Sequence, residues 1–388
     1  MPERPPAAMG ITRKTSTVRG SALAVGQGIA LGIGSLCLVA LGANAASEAA
    51  DRAITVATWG GPYEHSQEKA YFEPFTTETG IRVETARYGG GLEELRRQVG
   101  SGEITWDLLD MTMADNRAAC NQGLLERIDH SMLLPALDGT PAEEDFVEGA
   151  LTDCGVSQIV YAMVLAYNRD AFPGERPARM KDLFDTRRFP GKRVLQKLPE
   201  ANLEWALRSY GVPREDLYQL LSTERGLRLA FERLDSIRDQ VIWWTAIEQP
   251  VELLVSGEAV IASQYNGRLF DAAVIHGHPI EIVWDAQIYE LGSWGIPRGT
   301  PHLDEVLEFI RFATGTRPLA DQAKYISYGP ARRSSMQLVS THAQTGVDMR
   351  PHLPTSPANF ETAILKDTEW YGSLYDRIKA RFDAWLGD

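Results

Sequence analysis

Aromatic side chains recur where short apolar runs give way to turns: Trp59 and Tyr63, Trp243 and Trp244, Tyr265, Trp284, Tyr289, Trp294 and Tyr328. Loops at the carboxyl ends of strands face the crevice of an open α/β sheet. An aromatic ring in such a loop covers the methylene chain of an amine and offers its π face to an ammonium, and neighbouring acids pair with the charge. The competing role of each ring is core packing, the usual place of Trp and Tyr. Trp59 is the strongest candidate for a ligand contact. It stands between a strand and the Gly60-Gly61 turn that opens a helix, a poor position for core packing.

Motifs of bond-making chemistry are absent from the 388 residues. There is no G-x-S-x-G elbow to carry a hydrolase serine. Phe189-Pro190-Gly191-Lys192-Arg193 contains a Gly-Lys pair without the upstream glycine of a phosphate-binding loop. His276 and His278 lack a third ligand nearby, so a surface loop explains them better than a metal site. The pattern favours a binding protein over an enzyme, and no cofactor is implied.

The elements that must position the rings alternate cleanly. Ile54 to Thr58, Ile81 to Ala86 and Asp107 to Met111 read as strands. Glu64 to Thr79, Leu92 to Val99 and Ala114 to Gln122 read as helices between and after them. This alternation predicts a parallel sheet covered by helices. A second block follows. Val160 to Asn168 is an apolar run able to cross between lobes, and Leu203 to Tyr210, Arg214 to Ser222 and Glu224 to Ile237 are helical. Ala259 to Gln264 and Ile280 to Trp284 are strands, and Trp294 to Pro297 is a second crossing. Thr300 followed by Pro301 predicts a helix start there. Phe360 to Leu386 reads as largely helical. Two α/β lobes joined by crossing strands enclose a cleft, the usual seat of a small ligand.

The first 45 residues differ from the rest. Arg4, Arg13, Lys14 and Arg19 precede an uncharged stretch from Ser21 to Leu41, and Ala43-Asn44-Ala45 follows. Basic, apolar, then small residues is the order of a secretory signal. An uncleaved anchor is the alternative, since the apolar run approaches the ~20 residues of a spanning helix. Cleavage after Ala45 removes four of the 39 basic and one of the 52 acidic residues. That leaves 35 against 51, a net charge of −16. Such a surface argues against nucleic acid as a partner. Cys37 leaves with the signal, and Cys120 and Cys154 remain as an even pair in an exported chain. A disulfide is expected, with two buried free thiols as the alternative.

Taken together, several segments resemble the spermidine/putrescine-type periplasmic solute-binding proteins of bacterial ABC transporters, including their 4-aminobutyrate-binding relatives. They are Thr58-Trp59-Gly60-Gly61-Pro62-Tyr63, Phe72-Glu73-Pro74-Phe75, Glu78-Thr79-Gly80-Ile81, Leu203-Glu204-Trp205-Ala206-Leu207, Tyr265-Asn266-Gly267-Arg268, Trp284-Asp285, Ile326-Ser327-Tyr328-Gly329-Pro330 and Arg381-Phe382-Asp383-Ala384-Trp385-Leu386. The resemblance spans the mature chain in order. It implies an α/β, two-lobed periplasmic binding protein of type II. Each lobe would be a helix-covered mixed sheet, closing like a hinged clamp on a ligand in the interlobe cleft. Residues 1–45 would be the signal peptide, 52–162 the first part of lobe 1, 163–291 lobe 2, 292–336 the return to lobe 1, and 337–388 C-terminal helices mainly on lobe 2. The same resemblance pairs Cys120 with Cys154. It implies a monomer that captures a small amine or amino acid and docks on permease subunits in the inner membrane.

Carried over position by position, the resemblance implies that Trp59, Tyr63, Tyr265, Asn266 and Tyr328 line the ligand pocket, and Trp243, Arg268, Asp285, Glu290 and Trp294 complete the candidate ligand set. Two departures bear on the ligand. Polyamine binders carry acids before the Leu203 helix and before the Ile296-Pro297 strand end. Here the first region offers Glu200, and Gly292 stands where an Asp is common, leaving Glu290 two residues back. Arg268 adds a guanidinium, which repels a dication and grips a carboxylate through a two-point fork. The alternative for Arg268 is a structural ion pair with Asp271 or Asp285. Putrescine or spermidine and an ω-amino acid such as 4-aminobutyrate therefore compete as ligands. A periplasmic sensor, or an enzyme on the same two-lobed fold, is the alternative function. A metal binder lacks the adjacent tyrosine pair such a site would use.

Overall fold

The computed structural model describes residues 52–387. Segment 1–45, expected to be a signal peptide, lies outside the described residues. Among the described residues there are eleven strands: β1 (Ala53–Thr58), β2 (Arg82–Arg87), β3 (Leu108–Thr112), β4 (Leu151–Thr152), β5 (Gly155–Asn168), β6 (Arg193–Gln196), β7 (Val241–Trp244), β8 (Ile261–Tyr265), β9 (Ile280–Gly295), β10 (Gly329–Pro330) and β11 (Ile364–Leu365). They form one hydrogen-bonded path, β2-β1-β3-β9-β5-β8-β6-β7, with β4 and β10 added to β5 and β11 to β9.

The path has a near-symmetric logic. β2-β1-β3 is a parallel block at one end, and β8-β6-β7 is a parallel block at the other. The long strands β5 and β9 join them, antiparallel to each other and to the block each meets. Alternation of strand and helix predicted the parallel blocks. The crossing strands make the whole sheet mixed. Because β9 leaves β3 at Thr112 and β5 meets β8 at Tyr265, the carboxyl ends of both blocks face the crossing segment.

Side chains alternate across the first block as period two requires. Ile54, Val56 and Leu108 pack with Phe72, Phe75 and Phe309 on one face, while Ala57, Leu109 and Met111 pack with Leu95 and Ala119 on the other. Helices therefore cover both sides. The first, Gly61–Gln67, continues through a π turn at Glu68–Phe72 into Glu73–Thr79, and Gly80 ends it in the left-handed conformation at φ 76. Thr112 caps helix Met113–Asn121 by accepting from the Asp115 N–H. Asp367 caps helix Thr368–Leu386 through the Glu369 and Trp370 N–H groups.

The structure moves some boundaries. Ile280 to Trp284 and Trp294 belong to one 16-residue strand, since pairing to β5 continues through the intervening residues. Thr300 does not cap a helix at Pro301. Its hydroxyl donates to Asp107 and accepts from the His302 N–H, and the helix runs Leu303–Ala313. A disulfide joins Cys120 at the end of helix Met113–Asn121 to Cys154 beside β5. Among the described residues no helix is long and apolar enough to cross a membrane.

Candidate functional site

β5 is a 14-residue strand buried at every position except Tyr161. From Ala286 to Gly295, β9 is buried at every position except Glu290. Tyr161 and Glu290 are directly paired across the two strands, so they share a face. The crossing segment thus has one half-open spot, floored by a phenol and a carboxylate.

Tyrosines converge on that spot from separate parts of the chain. Tyr265 ends β8 and Tyr328 precedes β10. Their rings each lie 5.9 Å from the Tyr161 ring, centroid to centroid. Tyr63, in the first helix, lies 5.9 Å from Tyr328. The four rings form a continuous wall whose geometry suits the cover of a short aliphatic chain. Tyr161 is the member that sequence reasoning missed. Its signal was a single tyrosine inside an apolar run, unreadable until β9 shows which face is open.

Opposite charges stand at the two ends of this wall. At the Tyr328 end is Arg268, which is exposed and whose charge acts on the Tyr328 hydroxyl. Among the described residues it has no ion-pair or hydrogen-bond partner. The structural pairing considered for it is not made. Asp271 faces His276, and Asp285 accepts from the Met180 N–H and lies 4.0 Å from Arg179. Gly267 packs so closely that a Cβ there would lie 2.9 Å from Tyr328 Cε1, which fixes Arg268 beside that ring. At the Tyr265 end, the Tyr265 hydroxyl feels Glu290, Lys366 and Glu200. Lys366 Nζ sits 3.1 Å from Glu290 Oε2 and 3.9 Å from Glu200 Oε1. Burial disfavours the Lys366 charge, but the two acids outweigh it and raise its pKa. Burial pushes the Glu200 carboxyl up, and its Oε2 has no partner.

Beneath the wall lies a buried polar knot. Asp110 accepts from Gln67 at 2.6 Å and from Gln158 at 2.8 Å, and Gln158 also donates to the Tyr63 hydroxyl at 3.1 Å. Burial pushes the Asp110 carboxyl up to about 7, against the pull of Tyr63, Gln158 and Gln67. The knot fixes Tyr63 against β3 and β5.

The remaining expected residues are placed elsewhere. Trp59 is half-buried at the end of β1, edge-on to Tyr88 at 4.9 Å, and outside the four-ring wall. The following Gly60 has φ 78, and a Cβ there would collide with Arg87 Nη1 at 1.4 Å. Asn266 is fully buried; it accepts from the Ala162 N–H and donates to the Ser327 carbonyl, bracing the turn from behind. Trp243 packs on Phe382 and Trp385 of the C-terminal helix. Trp294 is fully buried against Tyr71 and Phe309. Asp285 serves the Met180 turn. Of the ten, the structure gathers Tyr63, Tyr265, Arg268, Glu290 and Tyr328. A cavity of about 810 Å³ is lined by Glu290 of this set and by Lys366, together with Tyr289 and Leu291, which flank Glu290 on β9.

Comparison with known proteins gives this geometry its class. The family model described as bacterial extracellular solute-binding protein matches residues 70–355. The chain belongs to that family, whose members bind a solute and do not transform it. A gamma-aminobutyric acid-binding protein of Pseudomonas aeruginosa is 35% identical over 350 residues, covering 90% of this chain and 95% of the relative. Among solved structures, an ABC transporter substrate-binding protein from Bradyrhizobium japonicum USDA 110 superposes with a TM-score of 0.73 at 27% identity, covering 87% of this chain and all of the other. A solved GABA receptor superposes with a TM-score of 0.70 at 30% identity, covering 86% and 98%. The fold is the two-lobed, type II binding-protein architecture that the resemblance implied.

Proposed function

We propose that the protein is the extracytoplasmic binding component of an ABC importer and that its ligand is an ω-amino acid of the 4-aminobutyrate class. The observation that carries this reading is the unpaired Arg268 at one end of the tyrosine wall, with acids at the other. Arg268 takes the ligand carboxylate by a two-point, charge-assisted contact. Tyr161, Tyr265 and Tyr328 cover the methylenes. The ammonium goes to the acid end of the wall, onto Glu200 beside the Lys366–Glu290 pair. Lobe 1, residues 52–162 and 292–336, closes on lobe 2, residues 163–291 with the C-terminal helices, and the closed form docks on a permease. Segment 1–45 directs export to the periplasm. The 35% identity to a gamma-aminobutyric acid-binding protein supports the same ligand class. A polyamine is the second reading, favoured by the presence of two acids and opposed by Arg268.

A thermal-shift screen tests the proposal. A ligand at 100 times its dissociation constant stabilises the folded state by about 2.7 kcal/mol. Four-carbon ω-amino acids should raise the melting temperature by several degrees, with putrescine, spermidine and α-amino acids giving less. A larger shift with putrescine than with 4-aminobutyrate would reverse the assignment.

A further inference from the structure

Lys366 has no place in a simple account of ammonium capture, because it puts a cation where a cation is to be bound. Its Nζ lies 3.1 Å from Glu290 and 3.9 Å from Glu200, and all three side chains are less than one-fifth exposed. Backbone pairing holds it there. The Lys366 N–H donates to the Tyr289 carbonyl, the residue beside Glu290, and β11 runs alongside β9 immediately before it. The two acids carry two negative charges and Lys366 returns one; Lys379, whose charge also reaches Glu200, is paired with Asp383, so the cluster keeps a net charge of −1. Glu200 Oε2 is buried and unpartnered, which leaves one acceptor for one further cation.

We propose that Lys366 is a built-in ammonium that sets the number of positive charges the site accepts, making it a specificity residue that excludes diamines. This rests on the ω-amino acid reading above. A ligand with one ammonium neutralises the cluster, with its head on Glu200. A diamine brings its second positive charge toward the guanidinium of Arg268 at the Tyr328 end of the wall. Arg268 repels that charge from one end, and Lys366 has already used the acid that would have paired with it at the other.

The experiment measures affinities for 4-aminobutyrate, n-butylamine and putrescine in wild type, Lys366→Met and Arg268→Ala. In Lys366→Met, putrescine binding should tighten at least tenfold while 4-aminobutyrate changes by less than threefold. Unchanged putrescine affinity in a folded Lys366→Met protein would overturn the proposal. If that variant does not fold, Arg268→Ala decides, because Arg268 is exposed and unbonded. With Lys366 intact, putrescine should still bind more weakly than n-butylamine, and tighter putrescine binding would again overturn the proposal. Wild type that ignores 4-aminobutyrate would instead fail the underlying ligand assignment, an outcome read separately from the variants.

Discussion

Single residues in the site are set by what surrounds them, and Asp110 shows this with a measurable consequence. An unfolded aspartate has a pKa near 4, whereas burial lifts Asp110 to about 7 in the folded protein. Between those values the folded state holds a proton that the unfolded state has lost. The contribution to stability is therefore full below pH ~4 and is lost as pH rises through about 7. Glu204, buried with Tyr371 and Tyr218 donating to it, is also raised to about 7 and acts in the same direction. Asp110→Asn should remove part of this slope. Chemical denaturation should show the variant gaining on wild type between pH 5 and pH 8, with no gain at pH 4. An identical pH slope in both proteins would show that Asp110 ionises normally.

The residue scale also shows why half of the expected set was gathered and half was not. Tyr63 and Tyr265 were legible because one opens the helix after β1 and the other ends β8, both at the carboxyl ends of the parallel blocks, while Tyr328, in the loop before β10, was legible only through the family resemblance. Trp243 and Trp294 occupy similar sequence positions, but their rings enter cores built by helix Thr368–Leu386 and by Tyr71 and Phe309, contacts with no local signature. Lys366 lies 76 residues beyond the acid it pairs with, so no spacing could announce it.

At the scale of elements, the site is made by the two crossing strands and the turns that reach over them. Sequence alternation located most strands and helices within a few residues, since apolar periodicity and glycine stops are local signals. It did not show that β9 crosses without a break or which face of β5 stays open, because both depend on pairing between segments over 100 residues apart. The turn from Tyr265 to Arg268 is the most sensitive of these connections. Adding a methyl at Gly267 would press on the Tyr328 ring from 2.9 Å. Gly267→Ala should weaken 4-aminobutyrate binding at least tenfold by displacing Tyr328. The loss should exceed what any fall in apo melting temperature explains. Retained affinity would place Tyr328 outside the ligand contact.

For the molecule as a whole, two parallel blocks meeting at shared strands give a cleft with a rigid floor and walls carried by different parts of the chain. The disulfide from Cys120 to Cys154 lies within the block carrying Trp59 and Tyr63 and closes a 34-residue separation. Loop-closure entropy makes such a link worth about 3–4 kcal/mol. Reduction should lower the denaturation midpoint accordingly while leaving ligand affinity nearly unchanged. Two titratable thiols in protein isolated from an oxidising compartment would contradict the bond.

The ligand assignment depends most directly on Arg268, the exposed guanidinium that no described residue neutralises. Isothermal titration of 4-aminobutyrate into wild type and Arg268→Ala tests it in one comparison. A closed charge-assisted pair is worth roughly 2–5 kcal/mol, so the variant should lose at least ~30-fold in affinity with its apo melting curve unchanged. Affinity within threefold of wild type in Arg268→Ala would contradict the account.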